Sequence, residues 1–461
     1  MESEKKISSS LAKEKISSYA VTEELLNKIS KVNPNLKLFI AITSEKAQSA
    51  ARISDQRKDK LGELDGIPIA IKDNFFIKGV RCTAGSKILA DFVPDFDATV
   101  VEKLERAGAV ILGTTNLHEF ASGVTSANPY YGIARNPWKI DRICGGSSGG
   151  SAGAVAAGLS YAALGTDTSG SVRIPASLCG VVGLKPTFGL VSTRGTIPLS
   201  FSLDHVGILA RNCVDAAIIL DIIAGYDPQD PVSVKSLKPH AYKEETIIER
   251  GRSHKIGIPQ RFFLDILDEE VLSAFEQSIK QFRSLGYELN QVDIPDVENC
   301  ESIWAPIRFS EAAAYHYNWT QTRRSDYSEE ILRKLDRGKD YSAIQYLLAK
   351  KEAQEFRKKM AVAMEGFDAF ISPTTTIPAP KIGEEKVVIG SKELDVYSAL
   401  VRLTLPYNVS GLPALSVPMG LSREGLPLGL QIAGRPFEEP VILGIGSIYE
   451  EKFPKIGLAQ V

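Results

Sequence analysis

Apolar positions along the chain switch repeatedly between a spacing of about 3.6 residues and a spacing of two, the signature of helices alternating with strands. From 21 to 32, VTEELLNKISKV carries apolar residues at helical spacing, which predicts a helix that stops before Pro34. LKLFIAIT then reads as a strand. GIPIAIKDN at 66–74 alternates apolar residues ahead of Lys72, which puts Lys72 at the end of a strand. ATVVEKLERAGA at 98–109 has a helix pattern closed by Gly108, and it feeds a strand, VILGTTN. This is the helix and strand unit of an α/β sheet.

From 145 to 158 the pattern gives way to GGSSGGSAGAVAAG, a Gly/Ser loop running into a helix of small residues. YAALGTDT reads as a short strand and SGSVRIPAS as its exit turn, whereas RNPWKIDRIC upstream is a poor strand. DAAIILDIIAGY is helical; residues 227–254 are polar, with Pro228, Pro231 and Pro239, and predict a long surface connection. Residues 268–284 and 342–364 read as helices, the second opened by a capping box of Ser342 and Gln345. We read 230–360 as a variable, helix-rich layer over the sheet. FDAFISPTTTIPAP, LPALSVPMG and LPLGLQIAG are strands and Pro-rich turns that rejoin the core. The expected organisation is one domain over 1–461, with its core in 66–190.

Composition narrows the function classes. The 461 residues are 44% hydrophobic and 24% charged, as in an ordinary globular chain. The 54 Lys and Arg nearly balance 56 Asp and Glu without a basic run, which argues against direct contact with nucleic acid. No apolar stretch is long enough to span a bilayer, and MESEKKISSS lacks the apolar segment of a signal peptide; the expectation is a cytoplasmic protein with no membrane contact. Five cysteines, with no C-x-x-C pair and no His at zinc-ligand spacing, predict reduced, buried thiols and no metal.

GGSSGGSAG contains G-x-S-x-G twice, around Ser147 and around Ser151. A nucleophile elbow would need a strand immediately upstream, which RNPWKIDRIC does not provide. A Ser-His-Asp triad would need one of His118, His205, His240, His254 or His316, and nothing in the sequence favours any of them. No Lys-Ser or Lys-Thr pair follows at P-loop spacing, so the loop does not read as a phosphate cradle.

Taken with GTDTSGSVRIPASLCGVVGLKPT, the segment GGSSGGSAGAVAAG resembles the defining stretch of the amidase signature family. DGIPIAIKDNF, TAGS, GTTNLHEFASG, NPYYGIARNPW, SPTTTIPAP and GLPLGLQIAGRPF resemble further family segments, in the family's order. The resemblance implies an α/β fold with a large mixed central sheet covered by helices on both faces. It also implies a triad in which Ser171 is the nucleophile, Ser147 a relay beside a cis peptide, and Lys72 the unprotonated base. A serine hydroxyl is a weak nucleophile that needs a base, and burial can make lysine serve by disfavouring its charge. An oxyanion hole would come from the turn Thr168-Ser169-Gly170-Ser171, although the family pattern carries Gly where this chain has Ser169. Asp167 and Arg173 read as supports of that loop, and His118 and Cys144 as structural residues. Ser122 and Gly123, together with Ser147, are expected to contact substrate. No cofactor and no metal are implied; the partner is a small-molecule amide, and a homodimer is compatible with this reading.

Two branches of the family compete. One is a free-standing amidase that releases ammonia. The other is the glutaminase (A) subunit of a tRNA-dependent amidotransferase, which would bring B and C subunits as partners. That subunit carries an acidic residue before its late Pro-x-Asn, suited to glutamine's amino group. Here SALVRLTLPYN at 398–408 has no Asp or Glu, and 329–357 lacks a clear match to the subunit's arginine-containing helix. The sequence therefore favours the free-standing amidase. A membrane-associated fatty-amide hydrolase would need an N-terminal anchor, and a non-catalytic relative would be free to lose Lys72, Ser147 and Ser171.

Overall fold

Eleven strands pair into one mixed sheet, and in its central strands the side chains alternate between apolar cores on opposite faces. In the strand Pro68–Lys72, Ile69 and Ile71 enter one core and Ala70 the other. In Val110–Thr115, Ile111 joins the first core, and Val110 and Leu112 the second. Period-two alternation with apolar residues on both sides requires helices over both faces, and these cover the sheet. The computed structural model describes residues 17–235, 242–252, 254–453 and 456–461.

Strands of this sheet are numbered along the chain: β1 Phe39–Ile42, β2 Pro68–Lys72, β3 Val110–Thr115, β4 Ala162–Asp167, β5 Val182–Lys185 and β6 His205–Ala210. They continue as β7 Lys255–Pro259, β8 Glu288–Val292, β9 Ala369–Pro373, β10 Ala414–Leu421 and β11 Pro427–Gly434. The spatial order is β1-β3-β2-β4-β6-β5-β10-β11-β9-β7-β8. β2 runs parallel to both β3 and β4, β7 runs parallel to β8 and β9, and the remaining neighbours are antiparallel.

The capping box at Ser342 is formed, with Ser342 accepting from the Gln345 amide. Several expectations are corrected. The first described helix, Ser18–Leu36, runs through Pro34. The proline sits in its last turn, where the carbonyl it leaves unpaired is that of exposed Ser30. SGSVRIPAS is not all turn: Arg173–Cys179 is a helix with Pro175 in its first turn, closed by Gly180 at φ 69°. Lys139–Ile143 is a strand, but it pairs with Arg135–Asn136 outside the main sheet, so it builds no elbow. The 227–254 connection contains a helix, Glu244–Arg250, and the 230–360 range supplies β7 and β8 to the sheet. Pro239, His240 and MESEKKISSS lie outside the described residues.

Within 300–363, three helices pack together, and two of them contribute Trp304, Phe309, Phe356 and Met360 to a separate apolar cluster. The helices are Cys300–Tyr315, Glu329–Asp340 and Ala343–Ala363, and the first packs on the other two. Among the described residues no helix is long and apolar enough to cross a membrane.

Candidate active site

Parallel pairing of β2 with β4 brings the ends of two strands side by side, and Lys72 ends β2. The Gly/Ser loop reaches Lys72 and enters the helix Gly149–Ala156. Glycine is required there by close approach. A Cβ on Gly150 would stand 2.4–2.5 Å from backbone atoms of Asn116 and Leu38. Anchored so tightly, the loop presents Ser147 and Ser148 to Lys72; its Gly146–Ser147 peptide is cis.

Lys72 is fully buried and its Nζ donates to Ser147 Oγ at 2.8 Å, Ser148 Oγ at 3.0 Å and Thr166 Oγ1 at 2.8 Å. Among the described residues it has no ion pair. Burial pulls its pKa down to about 7, against the opposing pull of Asp204 and Asp167. A neutral amine has two N–H bonds and one lone pair, so in that form one hydroxyl must donate to it. The sequence missed Ser148 and Thr166. Ser148 is the neighbour of a candidate, and Thr166 points inward from β4 two residues from Thr168, which is the only signal available for either.

Ser171 closes the turn that follows β4. It is 3% exposed, and its carbonyl accepts from Ser148 N–H at 3.1 Å, which ties the turn to the Gly/Ser loop. Among the described residues no hydrogen bond joins its side chain to Ser147 or Lys72. The turn itself is held by Asp167. One of its carboxylate oxygens accepts from Gly170 N–H at 2.8 Å, the other from Val172 N–H at 3.1 Å. Gly170 N–H, expected at the oxyanion hole, is therefore committed to Asp167. Burial alone would raise the Asp167 carboxyl, but the Arg173 guanidinium at 3.0 Å holds it well below the usual carboxylate range. Arg173 reaches on to Thr404 O, Asn408 Oδ1 and Gln431 Oε1 at 3.0, 2.5 and 2.7 Å. Thr168 Oγ1 donates to Asp204 Oδ1 at 2.5 Å, and burial pushes Asp204 up to about 6. Ser169 O accepts from Thr404 Oγ1 at 2.6 Å.

Ser122 and Gly123 stand elsewhere in this neighbourhood. Arg308 Nη2 donates to Ser122 Oγ, and Lys334 Nζ donates to Ser122 O. Gly123 is packed on the His118 ring, which a Cβ would meet at 2.4 Å. His118 Nε2 in turn lies 3.2 Å from Glu330 Oε1. No sequence signal marked Arg308 or Lys334, which come from the unpatterned helical segment. All five cysteines are buried and free. Among the described residues no group of three or more His, Cys, Asp or Glu is placed to hold a metal ion.

The model of the Amidase family matches residues 20–443. The A-type component of the glutamyl-tRNA(Gln) amidotransferase of Geotalea daltonii is 38% identical, over 96% of this chain and 95% of its own. A solved chain from a vestigial protein complex, bearing on the evolutionary origins of an s-triazine catabolic enzyme, superposes with a TM-score of 0.92. It is 34% identical and is covered, like this chain, to 98%. The peptide amidase PAM, solved with the competitive inhibitor chymostatin, superposes with a TM-score of 0.86 at 30% identity, over 100% of this chain and 99% of that one. A mixed eleven-stranded sheet, the loop that sets two serines on a buried lysine, and likeness over nearly the whole length agree: this chain belongs to the amidase family.

Proposed function

We propose that this protein hydrolyses the C–N bond of a carboxamide, with Ser171 as nucleophile, Ser147 as proton relay and Lys72 as base. The observation that carries this reading is Lys72: a fully buried amine, surrounded by three hydroxyls and drawn to about 7. A base poised near the working pH is what general-base catalysis needs. Unprotonated, Lys72 accepts the Ser147 proton while Ser147 takes that of Ser171, and Ser171 Oγ attacks the carbonyl carbon. With Gly170 N–H held by Asp167, the developing oxyanion falls to the amides of Thr168, Ser169 and Ser171. As the C–N bond breaks, the proton returns from Lys72 through Ser147 to the leaving nitrogen. Ammonia departs and the acyl group stays on Ser171 as an ester. A water molecule, deprotonated along the same relay, then releases the carboxylic acid and restores Ser171.

Identity of 38% with the A-type component of an amidotransferase favours a second reading. There the same chemistry acts on glutamine, and the ammonia passes to partners of the B and C type. Both readings share the test. Ser171→Ala should abolish amide hydrolysis and leave the circular dichroism spectrum unchanged. In the native protein, kcat/KM should fall tenfold per pH unit below about 7, because protonating Lys72 removes the base. Turnover retained by Ser171→Ala, or a flat acid limb, overturns the assignment.

A further inference from the structure

Arg308 is a buried cation, and the described residues leave two of its donor nitrogens without an acceptor. It projects from the helix Cys300–Tyr315 and is 3% exposed. Nη2 donates to Ser122 Oγ, while Nε and Nη1 have no hydrogen-bond partner among the described residues. Buried guanidinium donors without acceptors are costly, and such orphans call for an acceptor brought from outside. The guanidinium is also held in place. Its carbon lies 4.3 Å from the Phe309 ring centroid and 5.7 Å from that of Trp304.

The charged groups that face Arg308 do not supply the acceptor. Glu330 is engaged by His118 at 3.2 Å and Lys334 at 2.5 Å. Asp204 accepts from Thr168 Oγ1 and from the Leu199 and Ser200 amides. Arg337 and Lys334 add positive charge beside it. The location connects to the reaction centre on two sides. Ser122 lies on the loop expected to contact substrate. Tyr397, within the electrostatic reach of Arg308, hydrogen-bonds Ser169, two residues before Ser171.

We infer that Arg308 receives a carboxylate on the acyl portion of the substrate, so that the amide cleaved is one that carries an acid group on the same small skeleton. This rests on the hydrolytic reading above. When the leaving group is ammonia, the charge can only belong to the acyl side.

The test uses the full purified chain and three amides of one skeleton: pentanamide, glutaramate and glutamine. Glutaramate should exceed pentanamide in kcat/KM by on the order of 10- to 100-fold, the range of a charge-assisted hydrogen bond, mainly through KM. Arg308→Met should bring the ratio close to one, and Arg308→Lys should restore part of it. Thermal melts of both variants check the fold. Glutamine turnover that falls with Arg308→Met supports the contact equally, since its carboxylate ends the same chain. Ser171→Ala protein should bind glutaramate in calorimetry, and the added Arg308→Met change should remove that binding. Equal use of pentanamide and glutaramate, unaltered by Arg308→Met, overturns the inference and leaves the amidase reading standing. Absence of all amide turnover, with Arg308-dependent binding retained, overturns the hydrolytic reading and keeps the carboxylate contact. Absence of Arg308-dependent binding overturns the contact.

Discussion

At the scale of single residues, Lys72 makes a claim about stability as well as chemistry. Its ordinary pKa of 10.5 is lowered to about 7 in the folded protein, with burial as the main cause. Between those values the unfolded chain holds a proton that the folded chain has released, so stability rises with pH across that window. Relative to Lys72→Met, the native protein should gain about 1.4 kcal/mol per pH unit from pH 7 to 10, measured by urea denaturation of both proteins at several pH values. A constant difference would mean that Lys72 stays charged when folded. Lys72, Ser147 and Ser171 came forward as candidates through the resemblance of the segments around them to the amidase signature family, not through their local pattern alone. Arg308 did not. It is 186 positions from Ser122, the residue that receives its Nη2 hydrogen bond, and only the fold brings the two together. Ser148 and Thr166 were obscured for a different reason: a hydroxyl in a turn and one at a strand end look alike whether or not an amine lies between them.

At the scale of elements, β2 was readable because its alternation feeds both cores, Ile69 and Ile71 to one face and Ala70 to the other. Arg173–Cys179 was not, since seven residues are barely two turns and Pro175 reads as a breaker until it is seen to lie in the first turn. The helix Gly149–Ala156 was legible as small-residue packing, and its reason is now specific. Gly150 lies against the backbone of Asn116 and Leu38, and Gly150 N–H donates to Asn116 O at 3.0 Å. Backbone neighbours cannot swing aside as a flexible side chain can, so Gly150→Ala must displace the helix onto which the Ser147–Ser148 loop leads. The expected cost is about 1–3 kcal/mol, seen as a lower midpoint in thermal or urea unfolding, together with reduced amide turnover. A variant with native stability and turnover would show that the helix has room to move and that its close approach does not position the relay.

At the scale of the whole molecule, the proposed reaction centre is assembled from distant parts of one chain. Lys72 comes from β2, its hydroxyl partners from the Gly/Ser loop and β4, and the turn that bears Ser171 is braced through Arg173 by Thr404, Asn408 and Gln431. The mixed sheet makes this possible, because it sets β4 beside β2 and draws β10 and β11 in from the end of the sequence. Such long-range closure is why the late segments could be read as strands without their role as a brace being visible. It also bears on the choice between a free-standing amidase and an amidotransferase component. Lys72, Ser147 and Ser171, the three residues of the proposed triad, all lie on this chain, and the proposal therefore predicts hydrolysis by the chain on its own. The expected outcome is that the purified chain alone releases ammonia from small amides, with no second protein, no tRNA and no ATP. A coupled ammonia assay over glutamine, aliphatic amides and aryl-acetamides measures this. Activity that appears only with glutamine, and only when B- and C-type subunits are added, would reverse the choice: the same buried lysine would then serve a glutaminase whose site is switched on by its partners.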